Sequence, residues 1–397
     1  MIYFDNAATS WPKPPAVRAA LEEYFGEAGG NPGRSGHRMS IAAARIVESA
    51  REALAELLNA PDPSRIIFTH NATHALNLAL QGLLLPGDHV VTTSMEHNSV
   101  MRPLRHFERL GVEVTVVACT SDGRVDAEVV RRAIRPDTRL LVTTHASNVA
   151  GTLNPVADLA ALAREWKIPY LVDAAQTAGA VPIDVQTSGV DLLAFTGHKG
   201  LLGPTGTGGL YIREGLQIAP LMRGGTGSYS AHEMQPEFLP DAHESGTLNL
   251  AGIAGLGAAV RFLLEIGIEA VRAHERKLIA QFLAGASQIS GFTLYGTRDA
   301  ALQCGLVSFN IEGAVPSEVG LILDRSFGIM ARTGLHCAPS AHRTLGTFPT
   351  GTVRFSFGWF NTPAEVEQGL NALRQIAAWA AKESTASPQE AVKTWTA

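Results

Sequence analysis

The sequence predicts an α/β chain in two domains. The larger rests on a mostly parallel seven-stranded sheet, and the smaller is a C-terminal α+β domain. Three observations carry this reading. Short β-rich runs alternate with helical stretches from residue 65 to residue 212, which implies βαβ units and a sheet covered on both faces. Two long helical stretches, 252–268 and 269–289, then leave the sheet. Beyond Ser290 the pattern becomes sparser.

The elements follow in order. Helices are expected at 14–26 and 40–58, before the alternation begins. A strand at 65–69 leads into a helix at 73–84, with Leu76, Leu80 and Leu83 on one side. Strands at 89–93, 112–118, 140–144 and 168–172 alternate with helices at 100–110, 126–134 and 156–166. Strands at 192–195 and 209–212 complete the seven. In the smaller domain, strands are expected at 306–311 and 352–357, with helices at 316–324 and 363–381. The large domain is placed at 15–255. The small domain takes 1–14 and 256–382, and 383–397 is a polar, frayed tail.

Composition narrows the function. Hydrophobic residues make up 46% of the 397 and charged residues 17%, ample for a sizeable core. The net charge of −5 and the absence of a basic block argue against nucleic acid. No run of 18 apolar residues suggests a membrane span, and Met1–Asn6 does not resemble a signal peptide. The three cysteines, Cys119, Cys304 and Cys337, form no Cys-x-x-Cys, so a reduced, cytoplasmic protein without a metal is expected.

Chemistry concentrates at the strand ends, where open α/β sheets bind ligands. Lys199 follows the apolar run Val190–Phe195, one of only six lysines. A buried ammonium must be paired or neutralised, and a partly desolvated lysine is a nucleophilic amine able to form a Schiff base. Lys13, Lys167, Lys277, Lys382 and Lys393 fall in stretches that read as solvated. Asn71-Ala72-Thr73 is either a plain N-cap or a phosphate site. His97, after the strand at 89–93, is either a loop histidine or a stacking partner for a planar ring. Asp173 either caps the next helix or pairs with a protonated pyridine nitrogen. Gly203–Gly209 allows close backbone approach but matches neither G-x-G-x-x-G nor a P-loop, which disfavours a nicotinamide dehydrogenase.

Together these residues resemble fold-type I pyridoxal-phosphate enzymes of the class V aminotransferase branch, and specifically the cysteine desulfurase/selenocysteine lyase family. The similar segments are Tyr3–Thr9, Met95-Glu96-His97, Ser147–Gly151, Asp173–Gln176, Thr196–Lys199 with Gly203–Gly206, Glu244–Thr247, Arg332–Ala338 and Val353-Arg354. The resemblance implies a role at each position. Lys199 holds pyridoxal 5'-phosphate and moves the substrate α-proton. Asp173 pairs with the ring nitrogen, Gln176 bonds the ring oxygen and His97 stacks on the ring. Thr73, Thr196 and His198 hold the phosphate, with Thr247 reaching in from the second subunit of a homodimer. Asn148, Arg354 and Arg34 bind the substrate. The implied partners are L-cysteine or L-selenocysteine and a sulfur-acceptor protein, in iron–sulfur cluster assembly or another branch of sulfur metabolism.

Cys337 discriminates the reaction. It lies near Arg332, His336 and His342, where positive neighbours would favour the thiolate that sulfur abstraction needs. The alternatives are a buried small hydrophobe, with Cys119 and Cys304 also structural, and a class V lyase or aminotransferase that does not need Cys337. Two departures from the family pattern bear on substrate and acceptor: Leu335 replaces a histidine, and Gly33 stands where relatives often place one.

Overall fold

The computed structural model describes residues 1–32, 36–229 and 231–383. Strand β1 (Ile2–Tyr3) precedes helices α1 (Pro15–Glu27) and α2 (Arg38–Leu58). The alternation then runs β2 (Ile66–Thr69), α3 (Ala72–Leu83), β3 (His89–Thr93), α4 (Asn98–Glu108), β4 (Glu113–Val117), α5 (Ala127–Ala133) and β5 (Thr138–Thr144). It continues through α6 (Val156–Trp166), β6 (Tyr170–Asp173), α7 (Val185–Ser188), β7 (Leu192–Thr196) and β8 (Gly208–Ile212). Next come α8 (Leu250–Ile266), α9 (Ile268–Ala286), β9 (Phe292–Tyr295), β10 (Leu306–Ile311) and α10 (Pro316–Phe327). The described chain closes with β11 (Ile329–Met330), β12 (Arg332–Gly334), α11 (Pro339–Thr344), β13 (Thr352–Ser356) and α12 (Pro363–Glu383).

The central sheet has seven strands in the order β2-β8-β7-β6-β5-β3-β4. Only β8 runs against its neighbours, β2 and β7; the other pairings are parallel. The apolar strands account for this arrangement. β2, β3, β6, β7 and β8 are buried at every residue, so helices must cover both faces. Helix α8 straddles residue 255 and packs Leu256, Ala259 and Leu263 into the core of the sheet domain. It then turns through 81° into α9.

A second core lies between α9, α10, α12 and the four-stranded antiparallel sheet β12-β13-β10-β9. The N-terminal segment belongs to this core. β1 pairs in parallel with β11, and Phe4 packs its ring 4.9 Å from Phe355 and 5.0 Å from Phe357. Residues 384–397, most of the expected tail, lie outside the described residues. So do Gly33 and Arg34.

A buried ion pair holds the segment that leads into α8. Arg51, 1% exposed on α2, grips both carboxylate oxygens of Glu244 at 2.8 and 2.9 Å. The same carboxylate accepts from Phe68 N–H at 2.7 Å, and the guanidinium stacks 4.7 Å from the Phe68 ring and donates to the Ile66 carbonyl. Glu244→Ala strands a buried guanidinium, so urea unfolding should lose about 3–5 kcal/mol. The double variant Arg51→Met/Glu244→Leu should recover much of that. A single-variant loss below about 1 kcal/mol, the scale of an exposed pair, would contradict the clamp.

Candidate active site

Strands β3, β5, β6 and β7 end side by side, and their carboxyl ends deliver the site. Asp173 is the last residue of β6 and Thr196 the last of β7, with His198 and Lys199 just beyond. His97 caps α4 after β3, and Asn148 follows β5. The turn at Gly197 favours glycine, because a Cβ there would collide with the Thr207 hydroxyl. The glycine-rich run therefore serves packing, letting the chain enter β8 against the lysine turn.

Lys199 is partly buried, and desolvation lowers its pKa to about 8, with Asp173 acting in the opposite sense and Arg354 and Arg332 adding to the lowering. Asp173 is buried and accepts from Ala175 N–H at 2.9 Å; burial raises its pKa while Lys199 lowers it. His97 has its pKa lowered to about 4 by burial, then by Lys199 and nearby arginines. Its Nδ1 accepts from Ser99 N–H at 3.0 Å, so the neutral ring carries its proton on Nε2. Gln176 donates to the Ala7 carbonyl at 3.1 Å.

His198 turns its carbonyl to the N-terminal segment, where Ser10 N–H (2.9 Å), the Thr9 hydroxyl (3.1 Å) and Lys13 Nζ (3.0 Å) all donate to it. Lys13, expected in solvent, is thus partly buried, and desolvation lowers its pKa to about 8. The turn bearing Lys199 needed a third element to satisfy it, and Ser10-Trp11-Pro12-Lys13 lies close enough to bring the ammonium in.

Asn148 donates to the His336 carbonyl at 2.6 Å, and Asn98 N–H donates to the Cys337 carbonyl at 2.9 Å. The cysteine loop, far away in sequence, is thereby pinned to the strand-end cluster. Both His336 (φ 46°) and Cys337 (φ 59°) adopt the left-handed conformation that side chains disfavour, and these two bonds hold them there. Cys337 is exposed, with Arg332 Nη2 3.5 Å from its sulfur. The expected histidine cations are absent. Burial lowers His336 to about 2 and His342 to about 4, so both rings are neutral and Arg332 is the positive neighbour. Cys304 is buried and its thiol pushed up to about 12; burial also raises Cys119.

Arg354 is fully buried. It donates to the Asn148 carbonyl and to Asp5 Oδ1, each at 2.9 Å, while its Nε has no partner. Arg332 faces it across the β12–β13 pairing. Arg332 and Asp5 were legible in sequence only as parts of motifs; their antiparallel and N-terminal contacts give them a place in the site. Glu96 is a further buried member. It accepts from the Thr93 hydroxyl at 2.5 Å and Thr144 N–H at 3.0 Å, and burial pushes its carboxyl up to about 8, so it is largely protonated at neutral pH. The adjacency of Glu96 to the end of β3 is a signal that could have found it.

Two expected phosphate residues differ in burial. Thr73 is exposed on the first turn of α3, whose cap is the Asn71 side chain accepting from His74 N–H at 3.0 Å. The buried Thr196 hydroxyl lies 3.5 Å from the Thr207 carbonyl. Thr247 stands apart within this chain, exposed and 3.4 Å from Asn31 Nδ2. Arg34 lies outside the described residues.

A lysine beside a buried aspartate at the ends of a parallel sheet defines a class, and the comparisons agree with it: a model of the class-V aminotransferase family matches residues 2–368. A probable cysteine desulfurase from Methanothermobacter thermautotrophicus is 39% identical over 382 residues, covering 95% of this chain and 94% of that protein. One from Halalkalibacterium halodurans is 37% identical over 379 residues, covering 92% and 91%. Among solved structures, the apo cysteine desulfurase of Thermococcus onnurineus NA1 matches with a TM-score of 0.89 at 34% identity over 95% of each chain. The cysteine desulfurase CsdA of Escherichia coli matches at 0.84 and 30% identity, covering 95% of this chain and 94% of its own. The chain belongs to the cysteine desulfurase family, within the class-V aminotransferases of fold-type I.

The lysine environment has a chemical consequence. In protein freed of bound small molecules, carbamylation of Lys199 by cyanate, read peptide by peptide, should rise with pH through a midpoint near 8. The neutral, reactive amine would then be about half the population at pH 8, against on the order of one part in a few hundred for an ordinary lysine. A Lys199 midpoint above about 10, the ordinary lysine value, would contradict the desolvated site.

Proposed function

We propose that this enzyme uses pyridoxal 5'-phosphate to take sulfur from L-cysteine, leaving L-alanine and a persulfide on Cys337 that passes to an acceptor. The observation that carries the reading is the pinning of the exposed Cys337 loop to Asn98 and Asn148, beside the Lys199–Asp173 pair. The residues suit the cofactor. His198 Nδ1, Asn148 Oδ1 and Arg354 Nε are buried polar atoms without partners, clustered around a desolvated lysine. Such atoms call for a polar ligand. Asp173 would hold the pyridine nitrogen, Gln176 the ring oxygen, His97 the ring face, and Thr73, Thr196 and His198 the phosphate. When bound, the cofactor supplies an electron sink for the substrate α-carbon.

The chain's own residues then do the remaining work. Arg354 and Arg332 form a cationic pair offset by a single carboxylate, Asp5, which suits a substrate carboxylate; Asn148 supports it, and Arg34 is proposed to join them. Lys199 takes the α-proton. The Cys337 thiolate, beside Arg332, attacks the substrate sulfur; an S–S bond forms, and the C–S bonding pair returns to carbon. Protonation at that carbon and return of the α-proton by Lys199 complete alanine, and the transferred sulfur stays on Cys337. Resemblance to the family extends the reading to a homodimer, in which the partner's Thr247 reaches the phosphate. It also suggests a cytoplasmic supply of sulfur, for iron–sulfur assembly among other uses.

Two variants test this. Lys199→Ala should lose alanine formation by at least about 10²–10⁴-fold, the contribution of a positioned proton-transfer group, together with the visible cofactor band. Cys337→Ala should keep that band and lose sulfide release from cysteine. Full desulfuration by Cys337→Ala would overturn the persulfide and favour a lyase that does not need this thiol.

A further inference from the structure

A groove of about 370 Å³ opens beside the cysteine loop, and its lining is strongly basic. Arg102, Arg105 and Arg109 recur at positions i, i+3 and i+7, so one face of α4 and its cap presents all three. Arg343 of α11 lines the same groove, as does His106. All four arginines are exposed. Among the described residues only Arg105 has a carboxylate partner, Glu108. Arg343 lies over the Phe348 ring at 4.4 Å instead. The whole chain carries −5, so the groove is a local reversal of sign.

The groove adjoins the cysteine loop. Asn98, which holds the Cys337 carbonyl at 2.9 Å, begins α4 and lines the groove. Pro339 and Ser340, just after Cys337 in the chain, form its other wall. The helical arginines spread over about 10 Å at ~1.5 Å per residue, longer than a single phosphate or sulfate occupies. Clefts of one sign steer and orient partners of the other.

We propose that this groove docks an acidic face of the protein that receives sulfur from Cys337; the proposal rests on the persulfide reading above. Docked there, the partner's thiolate attacks the outer sulfur of the persulfide. A new S–S bond forms, the bond to Cys337 breaks, and Cys337 leaves as thiolate, so the transfer is redox-neutral.

The probes are two peptides of equal length with one cysteine each, flanked by Asp and Glu in one and by Asn and Gln in the other. With persulfide-loaded holoenzyme at low salt, the acidic peptide should accept sulfur about tenfold faster, a lead that shrinks as salt screens the charges. The variant Arg105→Glu/Arg109→Glu/Arg343→Glu should abolish or reverse the lead, while alanine formation with dithiothreitol stays within about twofold, as expected for rim charges. Equal rates with both peptides, in an enzyme that forms the persulfide, would overturn the groove alone. An enzyme that forms no persulfide would overturn both readings. A changed sedimentation coefficient in the triple variant would assign the groove to a second copy of this chain and overturn the docking proposal.

Discussion

Arg354 is the contact on which the parts of this molecule converge. It projects from β13 in the second core, bonds Asp5 of the N-terminal segment, and bonds the carbonyl of Asn148 at the end of a central-sheet strand. Its exposure is 0%, so its charge relies on those partners alone. A buried guanidinium with one partner removed is costly, which makes the junction all-or-none. Asn148 then carries the constraint onward to the cysteine loop through His336, while Asn98, at the start of α4, separately holds the Cys337 carbonyl. One buried cation thereby ties the second core and the N-terminal segment to the strand end that holds the cysteine loop.

Burial tunes the rest of the site in a consistent direction. Desolvation drives Lys199, His97 and His198 toward their neutral forms and raises the carboxyls of Glu96 and Asp173. Groups shifted together in this way mark functional clefts. Lys199 and Asp173 oppose that trend by stabilising one another's charge. The two guanidiniums, Arg332 and Arg354, face one carboxylate, so the cluster favours an anionic ligand.

The central sheet was legible because its strands are short, apolar and separated by helical periods. All seven appear within a few residues of their expected places, and the strand-end residues come together because parallel strands end on one side. Elements of two or three residues were not legible: β1, β11 and β12 have no periodicity of their own and exist by pairing with distant strands. The Lys13 contact depends on the chain folding back over the Lys199 turn. The histidines beside Cys337 read as cations because burial cannot be seen in a polar segment. Glu244 read as part of a motif, but its partner Arg51 lies 193 residues away.

The central proposal is that Cys337, exposed and held in a left-handed conformation by Asn98 N–H, is the residue that receives sulfur. Mass spectrometry of the intact holoenzyme after incubation with L-cysteine tests it most directly, with alkylation to trap the adduct and peptide mapping to place it. One added sulfur on the peptide containing Cys337, absent in Lys199→Ala, is the expected result. Alanine formed without any added sulfur on Cys337, or sulfur found on Cys119 or Cys304 instead, would contradict the claim.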